Sequence, residues 1–279
     1  MIAITKLTLK EALRKRVLLI TLLLTVAFLT LYGVGVHFAI VSEMKGDDSG
    51  SPMLAILAYS FLTVALFFGT FITGFFAISG AVGTISLEVE SGILHAIVPR
   101  PVKRSSIVLG KSLGYGIIVA VYSALFCAAL LTVTPIATGV EVPFDARILV
   151  LFSLHPLVVL SVTMLGTTCL STIANAVMTF MLFAFSVMGG TLEQIGYVLG
   201  NESLVNAGIL TSLIMPADSL YRKMVHYVLA RADSVLAAGF LGPFGSLSEP
   251  SVWMMVYACL YVAGFLALAV RSFSKRDIS

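Results

Sequence analysis

The chain has 279 residues, of which 59% are hydrophobic and only 11% are charged. About a quarter of the residues in a soluble domain are charged, so this composition excludes an ordinary soluble enzyme and indicates an integral membrane protein. The net charge of +3 gives no reason to expect nucleic acid as a partner. The lipid bilayer is therefore the first partner that the composition predicts.

Six apolar runs are long enough to cross a bilayer as helices, in which each backbone polar group bonds within its own segment. They are continuously apolar, whereas the strands of a membrane barrel alternate between apolar and polar residues. The predicted fold class is therefore all-α, a polytopic membrane protein with six transmembrane helices. The predicted spans cover residues 17–38, 54–82, 107–134, 148–171, 174–190 and 252–270.

Basic residues divide unevenly between the two sides that six spans define. The side with both termini and the connection near residue 100 carries 12 of the 17 lysines and arginines, but only four of the 14 acids. Basic residues are enriched on the cytoplasmic side of a membrane. This predicts both termini in the cytoplasm and a multi-pass protein of the cytoplasmic, or inner, cell membrane.

The connection of residues 191–250 is too long to be a bare link between two spans. After Pro216, the apolar residues Leu220, Met224 and Val228 recur every four positions, which predicts an amphipathic helix at the outer membrane surface. Such a helix would either cover the bundle as a lid or bind an extracytoplasmic partner protein. The residues predicted for an outer partner contact are Asp218, Tyr221 and Arg222.

The six predicted spans contain no Asp, Glu, Lys or Arg well away from their ends, and His155 beside Pro156 is their one clear titratable group. A secondary transporter usually needs an ionisable group there to bind its coupling ion. The sequence also lacks paired intramembrane aspartates, an H-E-x-x-H motif and metal-ligand spacing among its cysteines. We therefore expect no catalytic residue and no metal site in this chain, and we expect energy for any transport to come from another subunit.

Hydroxyl-bearing and small residues recur on one face of the second and fifth predicted spans. Two explanations stay open: helix-to-helix packing through small residues and hydroxyls, and the lining of a substrate path. The residues predicted for a translocation path are Thr63, Thr70, Thr73, Thr172, Asn175, Thr179 and Ser186.

The tripeptide Gly110-Lys111-Ser112 looks like the end of a phosphate-binding loop. Such a loop needs a glycine five positions before Gly110, but that position holds Ser105. No strand precedes the tripeptide either, so a nucleotide site is not predicted. The tripeptide ends the connection TISLEVESGILHAIVPRPVKRSSIVLGKSLG, residues 84–114, where two acids precede apolar residues at helical spacing and a basic end. This pattern predicts a short amphipathic helix across the cytoplasmic mouth. A basic anchor for anionic headgroups would explain the basic residues but not the acids.

This connection resembles the one in permease subunits of type-two exporters of the ATP-binding-cassette (ABC) superfamily, whose pattern is roughly E-x-x-x-G-T-L, then P-x-x-R, then G-K. Ile93 replaces the usual threonine, and the likeness extends to the basic N-terminal segment, the six spans and the basic tail RSFSKRDIS. The stretch MPADSLYRKM, residues 215–224, is similar to a segment of permeases that serve copper-enzyme maturation, notably of nitrous oxide reductase. The residues that match the first pattern in order are Glu88, Gly92, Leu94, Pro101, Arg104, Gly110 and Lys111.

The resemblance implies a single transmembrane permease domain over residues 1–279, paired with a second permease chain as a homodimer and with two cytoplasmic ABC ATPase subunits. ATP and Mg would be bound by those ATPases, and this chain would bind no cofactor. Residues 1–16 would form an interfacial segment, residues 84–106 a coupling loop whose helix sits on an ATPase, and residues 191–250 an outer helical loop. The second and fifth spans would line the path. The ATPase-coupling contacts implied in this way are Glu88, Glu90, Gly92, Leu94, Pro101, Arg104 and Lys111.

The leading hypothesis is thus a permease subunit that converts ATPase motion into export or into work on an extracytoplasmic partner. A membrane scaffold that recruits such a partner without transport is the alternative from another class. A secondary transporter is the third. Substrate flux into reconstituted vesicles separates the first two hypotheses, because a scaffold gives none even when the ATPase is present.

Overall fold

The structure is a computed structural model, and it describes residues 1–44, 52–90, 103–142, 144–230, 244–246 and 248–275. Every regular element in these ranges is a helix. The predicted coupling residues Gly92, Leu94 and Pro101 lie outside the described residues.

The described residues form ten helices, six of which are long and apolar enough to cross a membrane. The second of these spans runs from α3 into α4, and the bent pair α8 and α9 adds a seventh candidate with a 111° angle between its halves. The all-α, polytopic fold is therefore confirmed. The helices are α1 Ile2–Arg14, α2 Arg16–Met44, α3 Pro52–Ala81, α4 Ser86–Glu90, α5 Arg104–Thr138, α6 Ala146–Cys169, α7 Thr172–Leu199, α8 Glu202–Ile214, α9 Ala217–Leu229 and α10 Val252–Lys275.

Helix α6 lies at the centre of the bundle and contacts α3, α5, α7, α9 and α10. Of the most apolar stretch of α6, 67% of the residues are buried inside the protein, whereas only 11% are buried in the corresponding stretch of α2. Apolar side chains that face lipid need no protein cover, so α2 is a peripheral helix and α6 an internal one. A movement of α6 would therefore displace most of the other spans.

A tight turn folds α8 back along α7. Gly200 ends α7 with a φ of 64°, a left-handed conformation that glycine adopts without strain. The Asn201 side chain then accepts hydrogen bonds from the N–H groups of Ser203 and Leu204 in the first turn of α8, at 3.0 and 3.3 Å. The two helices lie so close that a Cβ atom at Gly189, Gly196 or Gly208 would overlap the other helix. Small residues thus set the α7–α8 contact, as is common between membrane helices.

The structure corrects the expectation for the end of the bundle near α9. Helix α7 continues to Leu199, beyond the predicted end of the fifth span, and so carries Glu193 inside the fold. Helix α9 is not the surface-lying amphipathic helix that its spacing predicts, because its charged face is covered too: Arg222 is 1% exposed. A charged face can be buried there because acids from α7 and α9 neutralise it.

Candidate coupling site and buried ion cluster

The charged connection leaves the bundle from a segment that we call the loop root, residues 84–88, which comprises the end of the turn after α3 and the start of α4. The backbone N–H groups of Ile85 and Ser86 donate to the Thr167 hydroxyl on α6 at 3.2 and 3.1 Å. The Ser86 hydroxyl also pairs with that of Thr172 on α7 at 2.7 Å. Because Thr167 and Ser86 are 0% and 2% exposed, these bonds are made out of water and hold the loop root to two spans.

A third attachment ties the loop root to α5. The Lys111 ammonium donates to the backbone oxygen of Thr84 at 2.7 Å and forms a salt bridge with Glu88. The Lys111 side chain is 8% exposed and that of Glu88 is 26% exposed. Lys111 was predicted as an ATPase contact, but the structure places its charge inside the protomer. There it neutralises and positions the Glu88 carboxylate, and the Glu88 side chain stays partly exposed.

Gly110, the neighbour of Lys111, packs against α1. A Cβ atom on Gly110 would come within 2.9 Å of Ile4, and one on Gly114 within 2.8 Å of Thr8. The glycine of the G-K pattern therefore belongs to a Gly-x-x-x-Gly contact that lets α1 approach α5 closely. The phosphate-loop appearance of the tripeptide has a packing explanation.

Lys15, at the junction of α1 and α2, fastens the same end of the bundle. Its ammonium donates to the Tyr115 hydroxyl at 2.5 Å and to the Gly80 carbonyl at 3.4 Å, and lies 3.3 Å from the Glu11 carboxylate. Burial lowers the pKa of Lys15, but the Tyr115 hydroxyl and Glu11 outweigh that effect and raise it above its ordinary value. The charge that joins α1 to α3 and α5 is thus retained.

The remaining predicted coupling residues fall at the edge of the described region. Arg104 is the first residue of α5 and is half-buried, and the backbone of Glu90 ends α4. The structure brings Glu88 on α4 together with Lys111 on α5, and it places Arg104 two turns before Lys111, at the start of α5. Their contact with an ATPase stays a prediction.

The predicted path residues lie in helix contacts. In α3 the hydroxyls of Thr63, Thr70 and Thr73 bond back to carbonyls of their own helix, and all three residues are at most 3% exposed. Asn175 on α7 donates to carbonyls of Val82 and Thr163 at 3.1 and 3.0 Å. These bonds support the packing explanation within one protomer.

The rest of the α7 stripe continues the same pattern. The Thr179 hydroxyl donates to the Asn175 side-chain oxygen at 3.3 Å. The Ser186 hydroxyl donates to the Met215 carbonyl at 2.6 Å and accepts the Asp218 N–H at 3.1 Å, so it fixes the start of α9. The lining of a path by these residues stays a prediction.

At the opposite end lies a feature that the sequence did not reveal, which we call the ion cluster: Glu193, Asp218, Arg222 and Ser248. The Arg222 guanidinium binds both oxygens of Glu193, at 2.6 and 2.8 Å, and its Nε donates to Asp218 at 2.9 Å. Ser248 bridges Arg222 and Glu193 at 2.9 and 3.0 Å. Gly190 provides space for the Asp218 carboxylate, since a Cβ atom there would overlap it.

The ion cluster changes the interpretation of the outer contact residues. Asp218, Tyr221 and Arg222 are 5%, 3% and 1% exposed, and the Tyr221 hydroxyl donates to the Phe244 carbonyl at 2.7 Å. The structure therefore does not offer them as a surface for another protein. The available signal was the spacing of Asp218 and Arg222, four residues apart on one helix; the sequence did not show that Glu193 would join them.

His155 lies in the core of α6. It is 2% exposed and packs against the Phe183 ring, with 5.6 Å between ring centres. Its Nδ1 has no hydrogen-bond partner among the described residues. Aromatic packing, rather than a hydrogen bond through Nδ1, is what the structure shows for this residue.

The sequence matches the family described as ABC-2 family transporter protein over residues 2–278, almost the entire chain. The chain belongs to this ABC-2 transporter family. A comparison with curated proteins gives no match. Family membership makes the chain a membrane subunit of an ABC transporter, and subunits of this kind are generally non-catalytic. The resemblance seen in the charged connection is thereby confirmed at the level of the ABC-2 permease.

Proposed function

We propose that this ABC-2 permease converts ATP hydrolysis by separate ATPase subunits into export of a substrate or into work on an extracytoplasmic partner. The observation that carries the proposal is the loop root. Its attachments reach α5 through Lys111, α6 through Thr167 and α7 through Thr172. A force on the charged connection would thus reach three spans at once, because close-packed interiors transmit displacement instead of absorbing it.

The assembly that we propose contains two cytoplasmic ATPase subunits and a second copy of this chain. The ATPases would bind ATP and Mg, and this chain would supply no cofactor site. The excess of basic residues beside the termini supports a cytoplasmic location for α1, the loop root and the end of α10. Glu88, Glu90 and Arg104 are the proposed contacts with the ATPase.

Loosening the loop root without changing charge or size tests this coupling. Thr167→Val removes the acceptor for the N–H groups of Ile85 and Ser86, and Thr163→Val is its matched control one turn earlier on α6. Among the described residues, the Thr163 hydroxyl bonds within its own helix, to the Val159 carbonyl at 2.9 Å. With the complex reconstituted in vesicles, we expect Thr167→Val to lower permease-stimulated ATP hydrolysis several-fold and Thr163→Val to leave it unchanged.

The ATPase must still co-purify with the Thr167→Val variant, since the change lies inside the bundle. Arg104→Glu, by contrast, should weaken co-purification itself, because it reverses a charge in the proposed contact. Equal hydrolysis in the Thr167→Val and Thr163→Val complexes would contradict the coupling role of the loop root. A chain that purifies and works without any ATPase would overturn the proposed function as a whole.

We also propose a narrower role, maturation of an extracytoplasmic copper enzyme, on the similarity of residues 215–224 alone. The Asp218 and Arg222 side chains of that stretch are engaged in the ion cluster, so the similarity also has a structural explanation. Deletion of the chain should then lower the copper content of that enzyme while its protein level stays constant. Unchanged copper content would remove the narrower role and leave the permease function standing.

A further inference from the structure

A cavity of about 440 Å³ lies beside the ion cluster, between α8, α9 and the start of α10. Its volume falls in the range of small-molecule sites. Ile209 and Leu213 form an apolar side, and the aromatic rings of Trp253 and Tyr257 form another. The carboxylates of Glu193 and Glu249 complete the lining with negative charge. Such a lining suits a ligand that has both an apolar body and a polar group.

Among the described residues that line the cavity, the one guanidinium, that of Arg222, has no donor left for an anion. Arg222 carries five N–H groups, and the structure gives each of them a partner. Nε donates to Asp218, and the two terminal nitrogens donate to Glu193, Ser212 and Ser248. A carboxylate or phosphate entering the cavity would therefore meet a saturated guanidinium and two acids.

Acceptors, in contrast, remain. Glu249 is paired with Lys223 at 2.5 Å and with His226 at 3.4 Å, yet half of its side chain is exposed. Each carboxylate oxygen can accept more than one hydrogen bond. The described cluster has three carboxylates against the two permanent cations Arg222 and Lys223, and His226 adds a charge only when protonated. Among the described residues, the site therefore carries an excess negative charge.

Ser219 gives an independent indication of an occupant. Ser219 is one of the residues that line the cavity, it is 0% exposed, and its hydroxyl oxygen has no hydrogen-bond partner among the described residues. A buried hydroxyl without a partner costs about 1 to 3 kcal/mol, so such groups are normally satisfied. A polar ligand group that approaches Ser219 would satisfy it by donating or accepting, so the sign of the ligand's charge rests on the acids of the cavity.

We propose that this cavity binds a cationic amphiphile, an ammonium or guanidinium group attached to an apolar body. The cationic group is bound between Glu193 and Glu249 and over the Trp253 ring, where a cation–π interaction adds to the attraction of the acids. The apolar body packs on Ile209 and Leu213. An amine-headed phospholipid and a free amphipathic amine share this chemistry.

The chain provides its own reporter, because Trp253 is its one tryptophan. We suggest titrating the full-length chain, in phosphatidylglycerol nanodiscs, with tetraphenylphosphonium and separately with tetraphenylborate. These two ions have the same shape and opposite charge. The expected result is a saturable change in Trp253 emission with the cation and none with the anion. Equal responses to the two ions would overturn the proposal.

Two variants locate the binding. Glu249→Gln removes one charge from the cavity and should weaken cation binding on the order of tenfold, as expected for one nearby charge in a partly solvated site. Glu202→Gln is the matched control, since Glu202 is an exposed acid at the start of α8 that does not line the cavity. Equal affinities of these two variants would contradict the site.

A third variant keeps the test valid if Glu249→Gln disturbs the fold. Ile209→Phe narrows the cavity without changing charge and should also weaken cation binding. Retained affinity in Ile209→Phe would place the cation elsewhere and overturn the proposal.

Adding phosphatidylethanolamine to the nanodiscs separates the two sources of the ligand. If an amine-headed lipid is the occupant, it should change Trp253 emission and compete with tetraphenylphosphonium. If the occupant is a free amphipathic amine, this lipid should leave the cation titration unchanged. Both results support the site.

Discussion

The two ends of the bundle use charge in opposite ways. At the loop root, one salt bridge, Glu88 to Lys111, joins a buried cation to a partly exposed acid, and hydroxyl bonds provide the other attachments. At the ion cluster, Arg222 is enclosed with two acids, and all three charged side chains are at most 11% exposed. The first arrangement leaves a charge facing outward, and the second encloses all of its charges.

This difference indicates which end can change its contacts at low cost. In a pair with one solvated member, losing the buried partner costs little, because water replaces it around the solvated charge. Breaking a pair that is buried on both sides leaves a charge without compensation. We therefore expect the Glu88 carboxylate to change its contacts during a transport cycle while the hydroxyl bonds hold the loop root to α6 and α7, and we expect α9 to move together with α7.

The largest effect is expected when the ion cluster loses its cation. Arg222→Met leaves Glu193 and Asp218 buried without a positive partner, and should destabilise the protein by about 3 to 5 kcal/mol. Lys223→Met is the matched control on the same helix, because its partner Glu249 is half exposed and can be hydrated. Thermal unfolding in nanodiscs measures both variants. Equal losses of stability in the two variants would show that burial of the ion cluster does not make its cation more important than Lys223.

A smaller effect is expected at the contact of α1 with α5. Gly114→Ala introduces a Cβ atom within 2.8 Å of Thr8 and 3.3 Å of the Thr5 carbonyl, and should cost about 1 to 3 kcal/mol through overpacking. Gly116→Ala on the same helix is the control, since its nearest neighbour, Leu157, is 3.8 Å away. Hydrogen exchange of residues 2–14 should rise only in Gly114→Ala. Unchanged exchange would mean that α1 does not depend on this glycine.

The loop root gives a still smaller and asymmetric effect. Glu88→Gln leaves the buried Lys111 ammonium without a charged partner among the described residues, although the amide oxygen can still accept from it, and should cost about 1 kcal/mol. Lys111→Met leaves Glu88, which water can reach, and should cost less than about 1 kcal/mol. Thermal unfolding of the single and double variants gives both values and their coupling. A larger loss from Lys111→Met would contradict the assigned burial.

The spans could be predicted from the sequence because long apolar runs have few alternatives to a membrane helix. The end near α9 could not, because a charged residue such as Glu193 is not expected inside an apolar span. That expectation fails when a charge is neutralised by a residue distant in sequence, as Arg222 neutralises Glu193. Gly110 was assigned to a motif, whereas its spacing from Gly114 already indicated close helix packing.

The smallest effect is a pH dependence of stability, and it arises from Glu249, the half-exposed acid that pairs with Lys223 on α9. The hydrogen bond from Lys223 lowers the pKa of Glu249 below its ordinary value of 4.5, although burial acts slightly in the other direction. A carboxyl group whose pKa is lower in the folded state contributes stability above its unfolded pKa and loses it as pH falls through the folded one.

The melting temperatures of the native protein and of Glu249→Gln should therefore differ slightly at pH 6 and converge as the pH falls below about 4. Comparing the two proteins at each pH cancels the titration of the other acids, including those of the ion cluster. A difference that grows on acidification would mean that Glu249 is destabilised by its surroundings. Glu193 would then be the one acid of the described cavity lining left to attract a cation.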